Sequence, residues 1–428
     1  MLIFFILAEE GPQELTAITD NAVELEVAPA NRTITFVLPC PEIITTPFAA
    51  AYQLSKAGMS VLGLDKATHP RYKVCGGGLS ARIDRILEED YKSVVEHTVY
   101  GIQFSYRGAD PFCLDSSSPI AYMVMRDRFD HFLLEKARRA GTEVHEGETL
   151  RSCRELPDGI EVTTDRGRYL AKALIGADGA NSLVAQQLFP GRRSRRMATL
   201  ESEVPIGLLP PYPGIGRALI DIGATPAGYA WIFPKQERLS VGVGDLRGGL
   251  ASPKKIFDQF VRDEKGLAPW KVPQPVGHPL PVFSEDSLAK DDRESIGLVS
   301  GQALLVGDAA HLIDPLFGEG IYYAVRSGQL AAESILNQAH DRRRSLADYE
   351  EAVRREIYEE FRVAARMASI VYSYPHLCHR LLSRYQNIVK LYYDVLRGRE
   401  TYQTFYVRAK GMAKASAKEL LLEAMSFR

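Results

Sequence analysis

The first part of the chain alternates short apolar runs with segments of helical periodicity. Residues 33–38 are typical of a buried strand, residues 48–57 have a helical pattern that ends at Gly58, and residues 60–65 form a second β-type run. A strand, a helix and a strand with short connections form a βαβ unit, which predicts a parallel sheet. Further elements are predicted as a helix over residues 126–140 and strands over residues 142–145 and 173–175.

From residue 197 to residue 245 the pattern changes to short apolar or alternating segments separated by proline and glycine. Segments of this kind are typical of antiparallel strands and predict a second sheet in a separate domain. The predicted strands cover residues 206–209, 218–222, 229–233 and 239–243. After Leu330 the chain follows an almost continuous helical pattern.

Together these elements predict an α/β (α+β) fold with two lobes. A Rossmann-type dinucleotide-binding domain is interleaved with an inserted antiparallel β-sheet domain for substrate, and a helical C-terminal region follows. The predicted boundaries are 33–95, 122–196 and 280–340 for the first domain, 96–121 and 197–279 for the second, and 341–428 for the helical region. Residues 1–32 lack periodicity, and we expect an atypical segment there that is disordered or foreign to the fold.

The composition is that of an ordinary globular protein, with 46% hydrophobic residues and a net charge of −2, which argues against general nucleic-acid binding. The charge is unevenly distributed. Residues 1–47 contain seven acids and one base, whereas residues 351–428 contain fourteen bases and eight acids. Basic C-terminal helices are compatible with peripheral contact to a membrane or with an ordinary solvated face.

The five cysteines include no Cys-x-x-Cys pair, so the sequence predicts a reducing compartment and neither a disulfide framework nor a metal site. The apolar run at residues 2–8 is too short to span a bilayer, lacks a basic flank before it and precedes two glutamates. We therefore predict no signal peptide and a cytoplasmic location. The basic helices also allow peripheral attachment to a membrane.

The most informative motif is Gly307-Asp308-Ala309-Ala310-His311, followed by a glycine-containing loop up to Gly320. It lies between a predicted strand and a long predicted helix that starts at Ile321. Asp308 can accept hydrogen bonds from sugar or ribityl hydroxyls, while Gly318 and Gly320 permit close approach of a flat ring. The helix N-terminus favours negative charge, such as that of a reduced flavin.

Three further positions are candidates for dinucleotide binding. Asp65, at the end of the second predicted strand, can bind a ribose or be a solvated strand-end acid. Arg126 can reach a phosphate or adenine edge, or be a solvated arginine at a helix start. Asp178, before Gly179 and the start of a helix, can cap that helix or contact the cofactor.

Two other motifs predict the rest of a site. Cys75-Gly76-Gly77-Gly78 combines a backbone that can approach a ligand with a thiol that is reactive or inert. Tyr229-x-Trp231-x-Phe233-Pro234 and the later Gly242-x-Gly244 lie on the predicted antiparallel sheet. Strand alternation places the three aromatic side chains on one face, where they form either sheet core or the wall of a tunnel for a long apolar ligand.

In type and order, these motifs resemble those of the geranylgeranyl reductase family of FAD-dependent oxidoreductases, over about residues 50–334. The run Pro70–Gly78 and the aromatic motif are its more specific parts. The resemblance implies a fold like that of p-hydroxybenzoate hydroxylase, bound FAD and reduction of isoprenoid C=C bonds. It places cofactor contacts at Asp65, Gly76, Gly77, Arg126, Asp178, Gly179, Gly307, Asp308, Gly318, Gly320 and Ile321, substrate contacts at Tyr229, Trp231, Phe233, Pro234, Gly242 and Gly244, and an active-site role at Cys75.

The sequence departs from the family before the first helix, where the family has a Gly-x-Gly-x-x-Gly loop. Here the chain reads Pro41-Glu42-Ile43-Ile44-Thr45-Thr46-Pro47, and residues 13–57 contain no glycine. Branched side chains and Glu42 would keep the backbone away from a pyrophosphate and repel it. Three accounts follow: the chain binds FAD weakly or not at all, it binds through a rebuilt loop, or residues 1–47 come from a shifted reading frame or misplaced start.

The sequence therefore predicts a flavin-dependent reductase that acts on prenyl double bonds, with an isoprenoid substrate and NAD(P)H or a ferredoxin as the electron donor. Two alternatives stay open. The first is a flavin monooxygenase or halogenase on the same fold, and the second is a non-catalytic prenyl-lipid binder that has lost FAD.

Overall fold

The computed structural model describes residues 2–5, 36–37, 45–192, 195–207, 216–245, 252–267, 271–284, 296–341 and 343–412. Most of the predicted atypical segment and residues 413–428 lie outside these ranges. Of residues 41–47, which replace the family's glycine loop, residues 41–44 also lie outside them, while residues 45–47 are not a loop but the start of the first helix.

The described strands, in chain order, are β1 (Leu2–Phe5), β2 (Phe36–Val37), β3 (Leu62–Asp65), β4 (Gly78–Ser80), β5 (Val95–Val99), β6 (Gly101–Tyr106), β7 (Ala109–Asp115), β8 (Ala121–Val124), β9 (Glu143–Glu146), β10 (Leu150–Leu156), β11 (Gly159–Thr164), β12 (Arg168–Ala171), β13 (Leu174–Ala177), β14 (Arg195–Pro205), β15 (Arg217–Ile222), β16 (Gly228–Pro234), β17 (Arg238–Asp245), β18 (Val276–Val282), β19 (Val299–Ser300) and β20 (Ala303–Leu305). The described α-helices are α1 (Thr45–Lys56), α2 (Arg126–Arg139), α3 (Leu183–Leu188), α4 (Pro253–Asp263), α5 (Ile321–His340), α6 (Ala347–Val353), α7 (Glu359–Ser373), α8 (Pro375–Arg384), α9 (Gln386–Leu396) and α10 (402–412).

The first lobe is built on the predicted parallel pairings. Strand β3 pairs in parallel with β2 and β9, and β13 pairs in parallel with β20. Helix α1 ends one residue before the predicted position, and Gly58 follows in a left-handed conformation with φ of 83°. The helix buries Phe48 and Leu54 in the core of this lobe, next to α5. The α/β fold class is thus confirmed, while the domain boundaries stay predictions.

Strand β1 was not predicted. It lies within the segment expected to be atypical, and it pairs antiparallel with β13 in the first lobe's sheet. A strand of four residues gives too short a pattern to be recognised from periodicity, and its partner lies far away in the sequence.

The second lobe is a seven-stranded sheet with the order β18-β14-β17-β16-β15-β6-β7. Two expectations for it were wrong. A strand was predicted at residues 206–209, but β14 ends at Pro205 and Gly207 follows in a left-handed turn with φ of 55°, while residues 208–209 lie outside the described ranges. The sheet is also not antiparallel throughout, because β15 pairs in parallel with β6, which the chain reaches by a long connection through the first lobe.

The two faces of this sheet pack against different partners. One face, with Leu219, Ile232 and Val241, packs against Phe257 and Phe260 of α4. The opposite face packs against the loop before α5 and against the C-terminal helices α7, α9 and α10. That second face encloses the candidate site described next.

The C-terminal helices are fixed to the sheet by buried tyrosines. The Tyr393 hydroxyl of α9 donates a hydrogen bond to the Leu114 carbonyl at 2.8 Å and accepts one from the Ile102 N–H at 3.0 Å. Among the helices within the described ranges, none has the length and apolar character needed to cross a bilayer.

Candidate functional site

A cavity lies between the inner face of the seven-stranded sheet and the loop that precedes α5. Strands β6, β14, β15, β16 and β18 line it on one side, while residues 73–80 and 317–321 line it on the other. The sequence motifs that were far apart along the chain therefore meet at one place.

The glycine loop lies directly against the aromatic strand. A side chain at Gly76 would place its Cβ 3.1 Å from the Phe233 ring and 3.4 Å from Trp231 Nε1. Gly77 has φ of 71°, and a Cβ there would lie 2.1 Å from the Val124 carbonyl oxygen. Gly77 therefore requires glycine, and at Gly76 an added Cβ would need the Phe233 ring to shift. The close approach leaves Cys75 half-buried at the wall of the cavity.

Tyr229, Trp231 and Phe233 form a continuous aromatic wall. Their ring centroids are 5.9 Å and 6.1 Å apart in succession, and all three rings line the cavity. The prediction that strand alternation places these three side chains on one face of the sheet is thus confirmed. The wall continues at Phe317, whose ring packs against that of Tyr229 in a T-shaped arrangement with the centroids 5.7 Å apart.

Gly242 and Gly244 lie behind this wall and are absent from the cavity lining. A Cβ at Gly242 would lie 2.1 Å from the Trp231 ring, and one at Gly244 would lie 2.6 Å from Met197 Cε. The glycines therefore make room for the indole rather than for a ligand. Pro234 ends strand β16 beside them and likewise does not line the cavity.

The loop of residues 314–320 closes the cavity at the N-terminus of α5. Tyr229 of the sheet donates a hydrogen bond to the Phe317 carbonyl, and Tyr372 of α7 donates one to the Leu316 carbonyl. Gly318, Gly320 and Ile321 line the cavity, and Gly320 precedes the helix with no side-chain cap. The unpaired N–H groups of a twenty-residue helix therefore start at the cavity wall.

A buried ion pair that the sequence did not reveal joins this loop to the glycine loop. Glu319 accepts hydrogen bonds from the Ser80 hydroxyl and from the Arg82 guanidinium. The guanidinium also lies 4.2 Å and 4.7 Å from the ring centroids of Tyr322 and Tyr323. Ser80 and Arg82 precede Glu319 by 239 and 237 positions, so no local pattern connects them.

Charged side chains gather at the same end of the cavity. Arg126 is 2% exposed and binds both oxygens of Asp130 at 3.0 Å, so the alternative of a solvated arginine is wrong. Lys73 is also buried there, next to Arg126 and Asp308. Burial and the Arg126 charge lower the pKa of Lys73 to about 7, while Asp308 opposes that shift.

His278 adds a neutral imidazole to this cluster. Burial, together with the charges of Lys73 and Arg126, lowers its pKa to about 3. Lys73 and His278 were both missed at the sequence level. Lys73 is part of the Pro70–Gly78 motif, but only the thiol and the glycines of that motif were interpreted as site residues. His278 has no neighbouring motif at all.

Four predicted cofactor residues lie outside the cavity lining. Asp65 accepts hydrogen bonds from the Ala67 N–H at 2.7 Å and from the His69 ring at 3.0 Å. Asp178 accepts one from the Val184 N–H at 2.9 Å and one from the Ser182 hydroxyl at the start of α3, which favours the capping alternative. The other two are the turn glycines Gly179 and Gly307, with φ of 73° and 56°.

A hydrogen-bonded chain runs behind the aromatic wall. Trp231 Nε1 donates to the Ser240 hydroxyl at 3.0 Å, and that hydroxyl donates to Glu201 at 2.9 Å. Glu201 lines the cavity and is 2% exposed. The pKa of Glu201 is raised to about 8, mainly by burial and also by the Glu203 carboxylate, against the opposing charge of Lys235. Glu201 is therefore protonated at neutral pH.

The residues at the α5 end of the cavity fit a flavin cofactor. A Cβ built on Gly318 or Gly320 would meet its neighbours only at ordinary contact distances of 3.5 Å or more, so these glycines are not tightly packed and both line the cavity at the helix N-terminus. Lys73 and Arg126 supply buried positive charge that suits a diphosphate or a reduced flavin, and Asp308 suits a ribityl hydroxyl. Of residues 41–47, which stand where the family has its glycine loop, residues 41–44 lie outside the described ranges and residues 45–47 begin α1.

Comparison with known proteins agrees with this geometry. The profile of the FAD binding domain family matches residues 48–204. A geranylgeranyl diphosphate reductase of Rhodobacter capsulatus is 29% identical over 67% of this chain and 71% of its own length. A menaquinone reductase of Mycobacterium tuberculosis is 31% identical over 67% of this chain and 72% of its own length.

Two solved structures share the fold. A geranylgeranyl bacteriochlorophyll reductase-like protein from Thermoplasma acidophilum aligns with a TM-score of 0.66 at 22% identity, over 78% of this chain and 86% of its own. A flavin-dependent brominase aligns with a TM-score of 0.66 at 17% identity, over 87% of this chain and 97% of its own.

Proposed function

Because this chain belongs to the geranylgeranyl reductase family of FAD-dependent oxidoreductases, we propose that it reduces carbon–carbon double bonds of a long isoprenoid chain. The relatives are named for geranylgeranyl diphosphate and for menaquinone, and both molecules contain an isoprenoid chain. The proposal concerns the substrate class and not one particular prenyl compound.

The observation that carries the proposal is the distribution of polarity along the cavity. The lining residues from β6, β15 and α9 are all apolar or aromatic: Ile102, Phe104, Ala218, Ile220, Tyr392 and Leu396. The charged lining residues come from the motif loops, from the start of α2 and from β14. A prenyl chain offers almost no hydrogen bonds, so its affinity must come from apolar burial at about 25 cal/mol per Å². An apolar region next to an aromatic wall provides this.

The chain's own residues would hold the cofactor at the other end. Gly318, Gly320 and Ile321 would face the ring, and Asp308 the ribityl chain, with Lys73 balancing the cofactor's negative charge. When bound, reduced FAD supplies a hydride. The aromatic wall of Tyr229, Trp231 and Phe233 then orients the alkene and excludes water from it.

Glu201 is our candidate for the residue that holds the proton for the second alkene carbon. Reduction of C=C adds one hydride and one proton, and the proton must come from a buried acid that is protonated at neutral pH. Glu201 meets this requirement, and Ser240 fixes the orientation of its carboxyl group. Cys75 also lines the cavity, as the second candidate for an active-site role.

The test is an anaerobic assay of the purified flavoprotein with geranylgeranyl diphosphate and a reductant. We expect products heavier by two hydrogens for each reduced double bond. NAD(P)H and a reduced ferredoxin, the two donors we propose, are compared with dithionite as the donor-independent control. In a parallel assay in air with added halide, products that contain oxygen or halide would support the monooxygenase or halogenase alternative. A colourless protein that binds prenyl lipid would support the non-catalytic alternative.

A further inference from the structure

The outer surface of helices α7 and α8 carries a group of exposed apolar side chains, which we call the α7–α8 face. It consists of Ile370, Tyr374, Leu377 and Leu381, which are 48%, 63%, 55% and 37% exposed. Leu377 and Leu381 are four residues apart on α8, so they project from one side of that helix, and Tyr374 is the residue between α7 and α8. Clustered exposed apolar side chains are unusual on a surface that only contacts water.

The helical segment that carries this face has charges of one sign. The segment from Phe361 to Tyr393 contains no aspartate or glutamate at all. Its five bases are Arg362, Arg366, Arg380, Arg384 and Lys390, and all five are exposed. Arg380 and Arg384 follow Leu377 by three and seven positions, so the cations border the apolar residues directly. The combination of exposed leucine and tyrosine with bordering arginine is typical of a surface that lies on anionic lipid headgroups.

The α7–α8 face lies over the apolar end of the cavity. The ring of His379, on the inner side of α8, is 5.4 Å from that of Phe112 and 6.3 Å from that of Tyr106, so α8 covers β6 and β7. Helix α9 follows α8 after a short connection and contributes Tyr392 and Leu396 to the cavity lining. Because of this arrangement, the same helices separate the apolar cavity from the exposed apolar face.

We propose that the α7–α8 face is the surface by which the protein docks on anionic lipid bilayers. The apolar side chains enter the headgroup boundary, while the bordering arginines contact lipid phosphates. This surface is distinct from the cavity, and the proposal holds whichever reaction the cavity performs. The proposal assigns the membrane contact, which the sequence predicted for the basic C-terminal helices, to helices α7 and α8.

The experiment is cosedimentation of the purified full chain with vesicles. We expect binding to phosphatidylcholine vesicles that contain about 30% phosphatidylglycerol, and weak binding to phosphatidylcholine alone. The variant Leu377→Ser/Leu381→Ser should reduce the bound fraction by about tenfold. The variant Arg380→Gln/Arg384→Gln should reduce it too, and should remove most of its dependence on salt concentration.

The matched control is Leu170→Ser, since Leu170 is 52% exposed on β12 and far from this face along the chain. It should bind vesicles like the unmodified protein, and circular dichroism confirms that each variant folds. Absence of binding to anionic vesicles, or equal binding by the leucine variant and the unmodified protein, would overturn the proposal. Self-association that the leucine substitutions abolish, without vesicle binding, would show instead that the face is a contact between two copies of the chain.

Discussion

The indole ring of Trp231 lies so close to the backbone of Gly242 that a Cβ at that glycine would approach it to 2.1 Å. The two residues are neighbours in register on β16 and β17. The Gly-x-Gly motif thus determines how far the Trp231 indole protrudes into the cavity, although the glycines themselves do not line it.

Gly242→Ala should push the indole into the cavity, because the added methyl group meets a rigid ring. Overpacking of this kind costs about 1–3 kcal/mol. We expect KM for a long prenyl substrate to rise while the FAD content, measured by absorbance after gel filtration, is unchanged. Gly244→Ala is the matched control, since its methyl group would clash only with the flexible end of Met197, while Thr199 and Trp231 lie at ordinary contact distances of 3.5 Å and 3.7 Å. Equal effects of the two substitutions would contradict this account of the motif.

Trp231→Ala should distinguish a substrate wall from sheet core. Loss of contact with roughly 60 Å² of prenyl surface, at about 25 cal/mol per Å², corresponds to about a tenfold loss of affinity. That loss should be much larger for a twenty-carbon than for a ten-carbon diphosphate, as measured by competition binding. If both substrates lose affinity equally while the flavin stays bound, Trp231 only holds the sheet together.

The sequence predicted those parts of the site that local patterns encode. The βαβ unit follows from periodicity, and the aromatic wall follows from strand alternation at Tyr229, Trp231 and Phe233. The glycine loop was recognisable because Gly76 and Gly77 stand in one run. For Gly242, the motif was visible, but its contact with Trp231 depends on strand register, which the sequence does not show.

The parts that were missed depend on contacts between distant residues. Arg82 and Glu319 are 237 positions apart, and Ser240 and Glu201 are 39 apart, so no periodicity links them. Asp178 shows another limit, because an acid before a helix suits both a cap and a ligand, and only the positions of Ser182 and Val184 favour the cap. The pairing of β6 with β15 required the three-dimensional fold.

Asp308→Ala should lower the FAD content of the purified protein. Asp308 is 1% exposed and lines the cavity beside Gly320, where a built Cβ lies 3.8 Å from its Oδ1 atom. Loss of a hydrogen bond to a charged group costs about 1.5–3 kcal/mol, or roughly a tenfold to hundredfold loss of affinity. Asp158→Ala, on an exposed turn, is the control. Unchanged flavin absorbance in the Asp308 variant would count against the assignment.

Binding of FAD to the apoprotein should be linked to a proton on Lys73. The pKa of Lys73 is lowered to about 7 in the cofactor-free protein, and a bound anion beside the ammonium raises it. Binding therefore takes up a proton above pH 7, and the Kd should rise with pH by at most about tenfold per unit. Titration calorimetry at pH 8 in buffers of different ionisation enthalpy measures this uptake. The uptake should vanish in Lys73→Met, and its persistence there would assign the proton to another group.

Glu201→Gln should remove the proposed proton source while the wall and the flavin stay in place. General acid catalysis contributes about 10²–10⁴-fold, so kcat should fall by that order at unchanged FAD content. The pKa of Glu201 is raised to about 8, so its acid form is present below that pH and lost above it, and kcat/KM of the unmodified enzyme should fall above about pH 8. The Glu203 carboxylate contributes to the raised pKa, so Glu203→Gln should move this fall to lower pH. A pH profile that neither substitution alters would show that the proton comes from elsewhere, with Cys75→Ser as the next variant to measure.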